Sequence, residues 1–362
     1  MKISHIKIKG FRNLQPLELK IDKEKSVFAF VGANGHGKTN LLEAIYLCAL
    51  SKSFRTRTNM DLIGFEEDFC ALECSVDRED AKIVEVIVIR EPAQKVLKIN
   101  GVKKSASDFI GVLKAVFFSP DDLSEMAFAP RLRRRYLDVL LSQLNHEYLD
   151  KLMRYQEAIK NRNALLKKIR EKTANKDELD FWDNQIVDFG LYITQKRADL
   201  IVQLQTLLKD LYKSISQTED VLEIHYQSNI GDIEDEQDLL LKITENIDRD
   251  IAGGSTQLGP HRDDLQFLIN GHDMVYFASR GEWRSLVLAL KFAEIKLIED
   301  KTGERPVLLL DDVFSELDEV RQKYLFKAIL GTQTFITTTH KEFLDGLKVE
   351  KQVYEVKDGE IK

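Results

Sequence analysis

The sequence predicts an α/β fold in two lobes, the second of them mainly helical. Three observations carry this reading. Short alternating apolar runs fill the first 118 residues, the apolar period becomes helical from about Asp121, and strand-like runs return from Leu222 onward.

In order, Ile3, Ile6 and Ile8, then Leu17, Leu19 and Ile21, place apolar side chains at mostly alternate positions, with Asn13 and Pro16 as turn residues between them. Residues 26–31 read as a short buried strand entering a glycine-rich loop. Alternation resumes at 71–76 and 83–89, and Asn100-Gly101 is a residue pair expected in a hairpin turn. Farther along, Leu149, Leu152, Ile159, Leu166 and Ile169 fall close to one helical face, and Ile201, Leu204, Leu208, Leu211 and Ile215 form a second such run. The polar stretch 172–176 between them reads as a turn, so the region is a helical hairpin or small bundle inserted into the α/β lobe. Strand character returns at 222–226, 265–269, 307–310 and 334–338.

A chain of 362 residues with 43% hydrophobic content can bury a large core and divide into two lobes. Its formal charge of −7 means that nucleic-acid binding must rest on local clusters of base. Residues 151–176 hold nine Lys/Arg against two acids, whereas 232–250 hold eight acids against two bases. Charge alone leaves the basic run open between a solvated helix and a nucleic-acid surface. Cys48, Cys70 and Cys74 lack CxxC spacing, and Cys70 and Cys74 flank Leu72 on one strand face, so they read as buried thiols. The opening residues lack the apolar stretch of a signal peptide, and no apolar run reaches the ~20 residues of a membrane span. A cytoplasmic location without membrane contact is expected.

The loop Gly32-Ala33-Asn34-Gly35-His36-Gly37-Lys38-Thr39 has the spacing of a phosphate-binding loop, between the strand at 26–31 and a helix continuing through Asn40. Glycines let it turn tightly and aim backbone N–H groups at phosphate oxygens. Lys38 is assigned to the β/γ-phosphates and Thr39 to Mg²⁺. Asp311 and Asp312 follow four apolar residues, as at the end of a buried parallel strand. Asp311 is assigned to the metal shell and Asp312 to the attacking water, so ATP and Mg²⁺ are the expected ligands.

Three further pieces match ABC-type ATPases. Ser279-Arg280-Gly281-Glu282, before a helix expected over 283–297, resembles the signature loop that meets the partner's γ-phosphate, with Ser279 and Gly281 as contacts. Ser315-Glu316-Leu317-Asp318 resembles the D-loop, with Ser315 and Asp318 at the interface. His340, after 335–339, stands at the switch-histidine position and joins Lys38 and Asp312 as a catalytic candidate. Lys38 and Ser279 meet one nucleotide only from different chains, so an ATP-dependent homodimer is expected. The full prediction is an α/β fold, a P-loop ABC-type ATPase head with a second, mainly helical lobe. Residues 1–118 and 283–362 form the ATPase lobe, and 119–282 form the helical lobe leading to the signature loop.

Other segments resemble the RecF family of bacterial DNA-repair proteins. They are Ile8-Lys9-Gly10-Phe11-Arg12-Asn13, Lys52-Ser53-Phe54-Arg55-Thr56 and Phe118-Ser119-Pro120-Asp121-Asp122-Leu123. Further on come Pro130 with Arg133-Arg134, Tyr136-Leu137-Asp138, Tyr155 with Arg162-Asn163, and Leu258-Gly259-Pro260-His261-Arg262-Asp263-Asp264-Leu265. The resemblance spans essentially the whole chain. It implies a weak ATPase in recombinational repair that dimerises with ATP on double-stranded DNA near single-/double-strand junctions. It also implies partnership with RecO and RecR in loading RecA at gaps. Candidate DNA or phosphate contacts are Arg55, Arg57, Arg133, Arg134, Lys160, Arg162, Lys167 and Lys168. Arg133 and Arg134 are equally readable as bridging acids within the helical lobe. The segment 258–265 reads either as a structural turn or as part of the nucleotide or dimer surface.

Glu282 departs from the family, which often has Gln there, and the extra acid is expected to weaken γ-phosphate binding. The alternative function is therefore a degenerate ATPase acting as a nucleotide-supported interaction module, which the intact Lys38, Thr39, Asp311 and Asp312 oppose. A transporter-coupled ATPase fits poorly beside the short basic helical arm. An SMC head lacks its long coil here, and an overcoming-lysogenization-type nuclease lacks its acidic metal domain.

Overall fold

The computed structural model describes the chain from Met1 to Lys362 apart from Glu79 and Glu234, so Glu234 of the acidic run lies outside the described residues. The elements begin with β1 (Lys2–Lys9), β2 (Leu17–Lys20), β3 (Val27–Val31) and α1 (Lys38–Leu50). Next come β4 (Phe69–Asp77), β5 (Lys82–Ile89), β6 (Gln94–Ile99), β7 (Val102–Lys104), α2 (Ala106–Phe109) and β8 (Ala115–Phe118). Helices α3 (Pro120–Glu125), α4 (Pro130–Leu144), α5 (His146–Arg170) and α6 (Asp180–Ser216) follow. Then come β9 (Leu222–Gln227), α7 (Glu236–Glu245), α8 (Ile247–Gly253), β10 (Asp264–Ile269), β11 (His272–Asp273) and α9 (Met274–Phe277). The remainder is α10 (Arg280–Thr302), β12 (Val307–Asp311), α11 (Glu319–Ile329), β13 (Thr334–Thr338), β14 (Lys351–Lys357) and β15 (Glu360–Ile361).

The chain forms two compact units. The first contains Met1–Ser124, Ser214–Gln217 and Arg280–Lys362, and the second contains Glu125–Lys213 and Thr218–Ser279. In the first, one sheet runs β2-β1-β4-β5-β6-β7 and is antiparallel throughout. Alternation decides which face it buries: Cys70, Leu72, Cys74 and Val76 of β4 point inward with Val84, Val86 and Val88 of β5. Asn100 and Gly101 join β6 to β7 with φ of 50° and 76°, the paired positive values a tight two-residue hairpin demands.

The other sheet runs β15-β14-β3-β13-β12-β8, with β14, β3, β13, β12 and β8 parallel. Strands β3, β8, β12 and β13 are almost continuously buried, which explains the apolar runs of β3, β8 and β12, while β13 buries threonines as well. Helix α1 packs against β4 and β5 on one side and β8, β12 and β13 on the other, so it is buried nearly all round. Because β3, β13 and β12 are parallel neighbours, the loops leaving their carboxyl ends emerge together along one edge.

The second unit builds α4–α8 around a three-stranded sheet, β11-β10-β9. Leu149, Leu152 and Leu166 of α5 and Ile201, Leu204 and Leu208 of α6 are buried, as their spacing predicts, whereas Ile159, Ile169 and Leu211 of the same runs are half-buried; buried Ile215 falls in the first unit. The helix expected over 283–297 starts earlier, at Arg280, so Gly281 and Glu282 lie in its first turn. Gly281 does not adopt a positive φ, and nothing stops the helix extending back to it. Among the described residues, no helix is long and apolar enough to cross a membrane.

Candidate nucleotide site

The phosphate loop connects β3 to α1, and its shape depends on missing side chains. A Cβ on Gly32 would lie 2.2 Å from the Val356 carbonyl oxygen, and one on Gly37, at φ 101°, 2.9 Å from Leu14 Cδ2. Helix α1 starts at Lys38 with no acid in its first turn, leaving an N-terminus suited to an anion. Lys38 is buried, and its Nζ donates to the carbonyls of Gly32 at 2.7 Å and Ala33 at 2.8 Å. Burial lowers its pKa, while Asp312 and Asp311 pull in the other direction.

Strand β12 brings Asp311 to this helix. Its Oδ1 accepts from Thr39 Oγ1 at 2.9 Å and from Thr337 Oγ1 on β13 at 2.5 Å. Burial pushes the Asp311 carboxyl upward, and the two hydroxyl hydrogen bonds oppose that shift. Asp312 adopts a left-handed conformation, φ 50°, held by its N–H bond to the Thr337 carbonyl. Its Oδ1 is buried without a hydrogen-bond partner among the described residues. A hydroxyl and two carboxylates in such an arrangement are an oxygen donor set suited to Mg²⁺, with an orphaned acceptor left over for a water.

The D-loop and the start of α10 are tied together within the first unit. Arg321 pairs with Asp318 and donates from Nη2 to the Gly281 carbonyl at 2.8 Å, and from Nε to Ser285 Oγ at 3.0 Å. Arg284 adds an ion pair to Glu316 at 2.7 Å. Asp318 also caps α11, and Ser315 Oγ donates to the Asp312 carbonyl at 2.8 Å. Ser279 immediately precedes α10. His340 follows β13 with a largely exposed ring against Phe343. Arg284 and Arg321 went unnoticed in the sequence because surface-type arginines at helical spacing carry no motif.

A buried acid in α1 escaped sequence reading too. Glu43 is fully buried, and Arg12 binds it through both Nε and Nη2, at 3.0 and 2.7 Å. Ser53 donates to the same carboxylate, and Arg55 Nη1 donates to Asn40 Oδ1 at 2.6 Å. The signal was available: a lone acid within an otherwise apolar helix segment. Arg55 therefore stands beside the nucleotide loop, and Arg57 is exposed in the following segment.

The basic candidates of the second unit separate by burial. Arg162 is not a phosphate contact, because it is fully buried with Nε on Asp183 and Nη1 on Asp250, both at 2.5 Å. Arg133 is likewise corrected: it is buried, forks onto Asp264 at 2.8 Å and binds the Met126 and Ala127 carbonyls. Arg134 is half-buried and donates to the Asp263 carbonyl at 2.5 Å. Lys160, Lys167 and Lys168 are exposed.

The segment 258–265 belongs to the same internal network. Asp263 is fully buried and accepts from Arg197, Tyr226 and the Asn229 N–H. His261 Nδ1 and the Tyr155 hydroxyl are hydrogen-bonded at 2.6 Å, and burial pushes the imidazole down to about 4. The Cβ that Gly259 lacks would sit 2.3 Å from that hydroxyl, at φ 128°. For His261 and Asp263 the structural reading therefore holds.

Comparison with known proteins gives a consistent result. The family model for the RecF/RecN/SMC N-terminal domain matches residues 2–362. "DNA replication and repair protein RecF" of Clostridium perfringens (strain 13 / Type A) is 38% identical over 366 residues, spanning 100% of this chain and 99% of that one. The protein of that name from Streptococcus pneumoniae (strain JJA) is 39% identical over 365 residues, 99% of this chain and 98% of that one. A solved structure of "the recombination mediator protein RecF-ATPrS in RecFOR pathway" superposes with a TM-score of 0.90 at 35% identity, covering 100% of this chain and 97% of the other. An Smc head domain from Pyrococcus furiosus shares the fold, with a TM-score of 0.55 at 15% identity over 99% of this chain and 95% of that one.

Proposed function

From the premise that the chain belongs to the RecF family of DNA replication and repair proteins, we propose that it is an ATP-switched DNA clamp acting in recombinational repair. The observation that carries this reading is the Thr39–Asp311 pair beside the buried, unpartnered Asp312 oxygen, at the start of a helix free of acid in its first turn. The loop amides and Lys38 hold the triphosphate. Thr39 and Asp311 hold Mg²⁺, which neutralises charge on the phosphates when bound. Asp312 orients the attacking water and takes its proton, and His340 approaches the γ-phosphate from the end of β13.

Ser279 and Gly281 reach the nucleotide of a second copy, and Ser315 and Asp318 line the same interface. ATP thus joins two chains on duplex DNA near single-/double-strand junctions, and slow hydrolysis releases them. A relative's place in the RecFOR pathway supports RecO and RecR as partners in loading RecA. Arg55, Arg57, Lys160, Lys167 and Lys168 are the exposed candidates for nucleotide or DNA phosphates, and DNA binding through them weakens with salt.

Light scattering in Mg²⁺ tests the proposal, with no nucleotide, ADP or ATP, and with or without a short duplex. The expected result is a doubled mass with ATP alone, strengthened by DNA. A mass indifferent to nucleotide overturns the clamp and favours the interaction module suggested by Glu282 in the first turn of α10.

A further inference from the structure

The phosphate loop touches two segments that belong to no nucleotide motif. One is the turn joining β14 to β15, Asp358-Gly359, with φ of 49° and 79°. The Asp358 N–H donates to His36 Nδ1 at 2.9 Å, and the Gly359 N–H donates to the His36 carbonyl at 3.0 Å. The other is Asn13, whose Nδ2 donates to the Gly35 carbonyl at 3.2 Å while its Oδ1 accepts from Asn40 Nδ2 at 2.6 Å. These two segments are locked to each other. Gln15 N–H donates to the Gly359 carbonyl at 3.0 Å, and a Cβ on Gly359 would lie 2.0 Å from the Asn13 carbonyl oxygen.

We infer that the Asp358-Gly359 turn, braced by Asn13, is a positioning clamp that holds the loop in its phosphate-receiving shape. The inference rests on the reading that this loop binds ATP. A glycine-rich loop has many conformations, and nucleotide affinity suffers if binding must select one of them. Here Gly35, His36 and Gly37 each meet one of the bracing segments, so that selection is made before ATP arrives. The clamp is a backbone device. Both bonds from the turn come from main-chain amides, and only glycine fits at 359 in this conformation and at this closeness. His36 Nδ1 also lies 3.2 Å from the Asp358 carboxylate, so the ring is held against the turn as well as the loop backbone.

The test is Mg²⁺-ATP binding by calorimetry, with thermal melting of the nucleotide-free proteins as the folding control. Gly359→Ala is expected to raise the ATP dissociation constant about tenfold or more, as a Cβ forces the turn off the loop. Hydrolysis by this variant is expected to show a raised KM and a wild-type kcat. Asp358→Asn keeps the amide, and Asn tolerates positive φ, so its affinity should stay within about twofold of wild type. Asn13→Asp, which turns the donation to Gly35 into an acceptor–acceptor contact and adds a charge beside the loop, serves if Gly359→Ala melts early, and it is expected to weaken ATP binding as well. Wild-type affinity in a folded Gly359→Ala protein, or in folded Asn13→Asp when that substitute is used, overturns the clamp. So does an Asp358→Asn defect as large as that of Gly359→Ala, which assigns the effect to the carboxylate. Absence of ATP binding by the wild type defeats the nucleotide-site reading instead.

Discussion

Lys38 and Arg162 are both buried cations, and the regions around them treat charge differently. In the first unit, Lys38 rests on two loop carbonyls rather than on a carboxylate, and Asp312 Oδ1 has no hydrogen-bond partner among the described residues. In the second, Arg162 is gripped by Asp183, Asp250 and Thr256, and Arg197 by Asp138, Asp263 and the Pro260 carbonyl. Polar groups left short of partners are available to a ligand. Charges paired internally hold the core in one arrangement, even though Arg162 Nη2 itself lacks a hydrogen-bond partner among the described residues.

The contrast breaks first at Arg162. Arg162→Ala leaves two buried carboxylates without their cation and is expected to cost about 3–5 kcal/mol in denaturant unfolding. An unfolding midpoint close to wild type would show that this arginine is dispensable to the core. Asp312→Asn acts in the opposite sense: melting and ATP binding persist while hydrolysis falls about 10²–10⁴-fold, trapping the dimer. A variant that stays monomeric with ATP contradicts that role for Asp312.

pH sharpens the comparison. Burial holds the His261 pKa down near 4, whereas an unfolded histidine titrates near 6.5. The stability this neutral imidazole contributes is complete above about pH 6.5 and is lost as pH falls toward 4, because the unfolded chain takes up the proton first. That difference is worth about 3 kcal/mol. His261→Gln should flatten the acid limb of the stability profile, and an unchanged limb points to other groups. The smallest effect belongs to the exposed lysines. Lys167→Glu with Lys168→Glu should leave melting unchanged, weaken duplex binding several-fold at moderate salt and make binding less salt-dependent by about one per lost contact. Unaltered DNA binding removes this helix from the DNA surface.

The same contrast explains what was legible in the sequence. The order of Lys38, Thr39, Asp311 and Asp312 along strand–loop–helix units could be read without coordinates, because phosphate chemistry fixes the spacing of those residues. The hairpin at Asn100-Gly101 and the alternating face of Cys70, Leu72 and Cys74 were also legible, since backbone conformation and period 2 dictate them. Arg133 was legible only as one of two open readings, and Arg162 was not. Their acids lie 131 and 88 residues away in the chain, at Asp264 and Asp250, and no local pattern announces such partners. The Arg321 link from Asp318 to Gly281, and the turn at Asp358-Gly359, are hidden for the same reason.

The central claim, that one chain's phosphate loop and another chain's signature serine share a nucleotide, is tested by mixing two inactive variants. Lys38→Ala should lose ATP binding, and Ser279→Arg should bind ATP but fail to dimerise and hydrolyse. Mixed together, they can form one composite site with Lys38 from the second variant and Ser279 from the first. Hydrolysis in the mixture is expected to exceed the sum of the separate proteins. A mixture as inactive as its components, or a Ser279→Arg protein that hydrolyses ATP like the wild type, contradicts it.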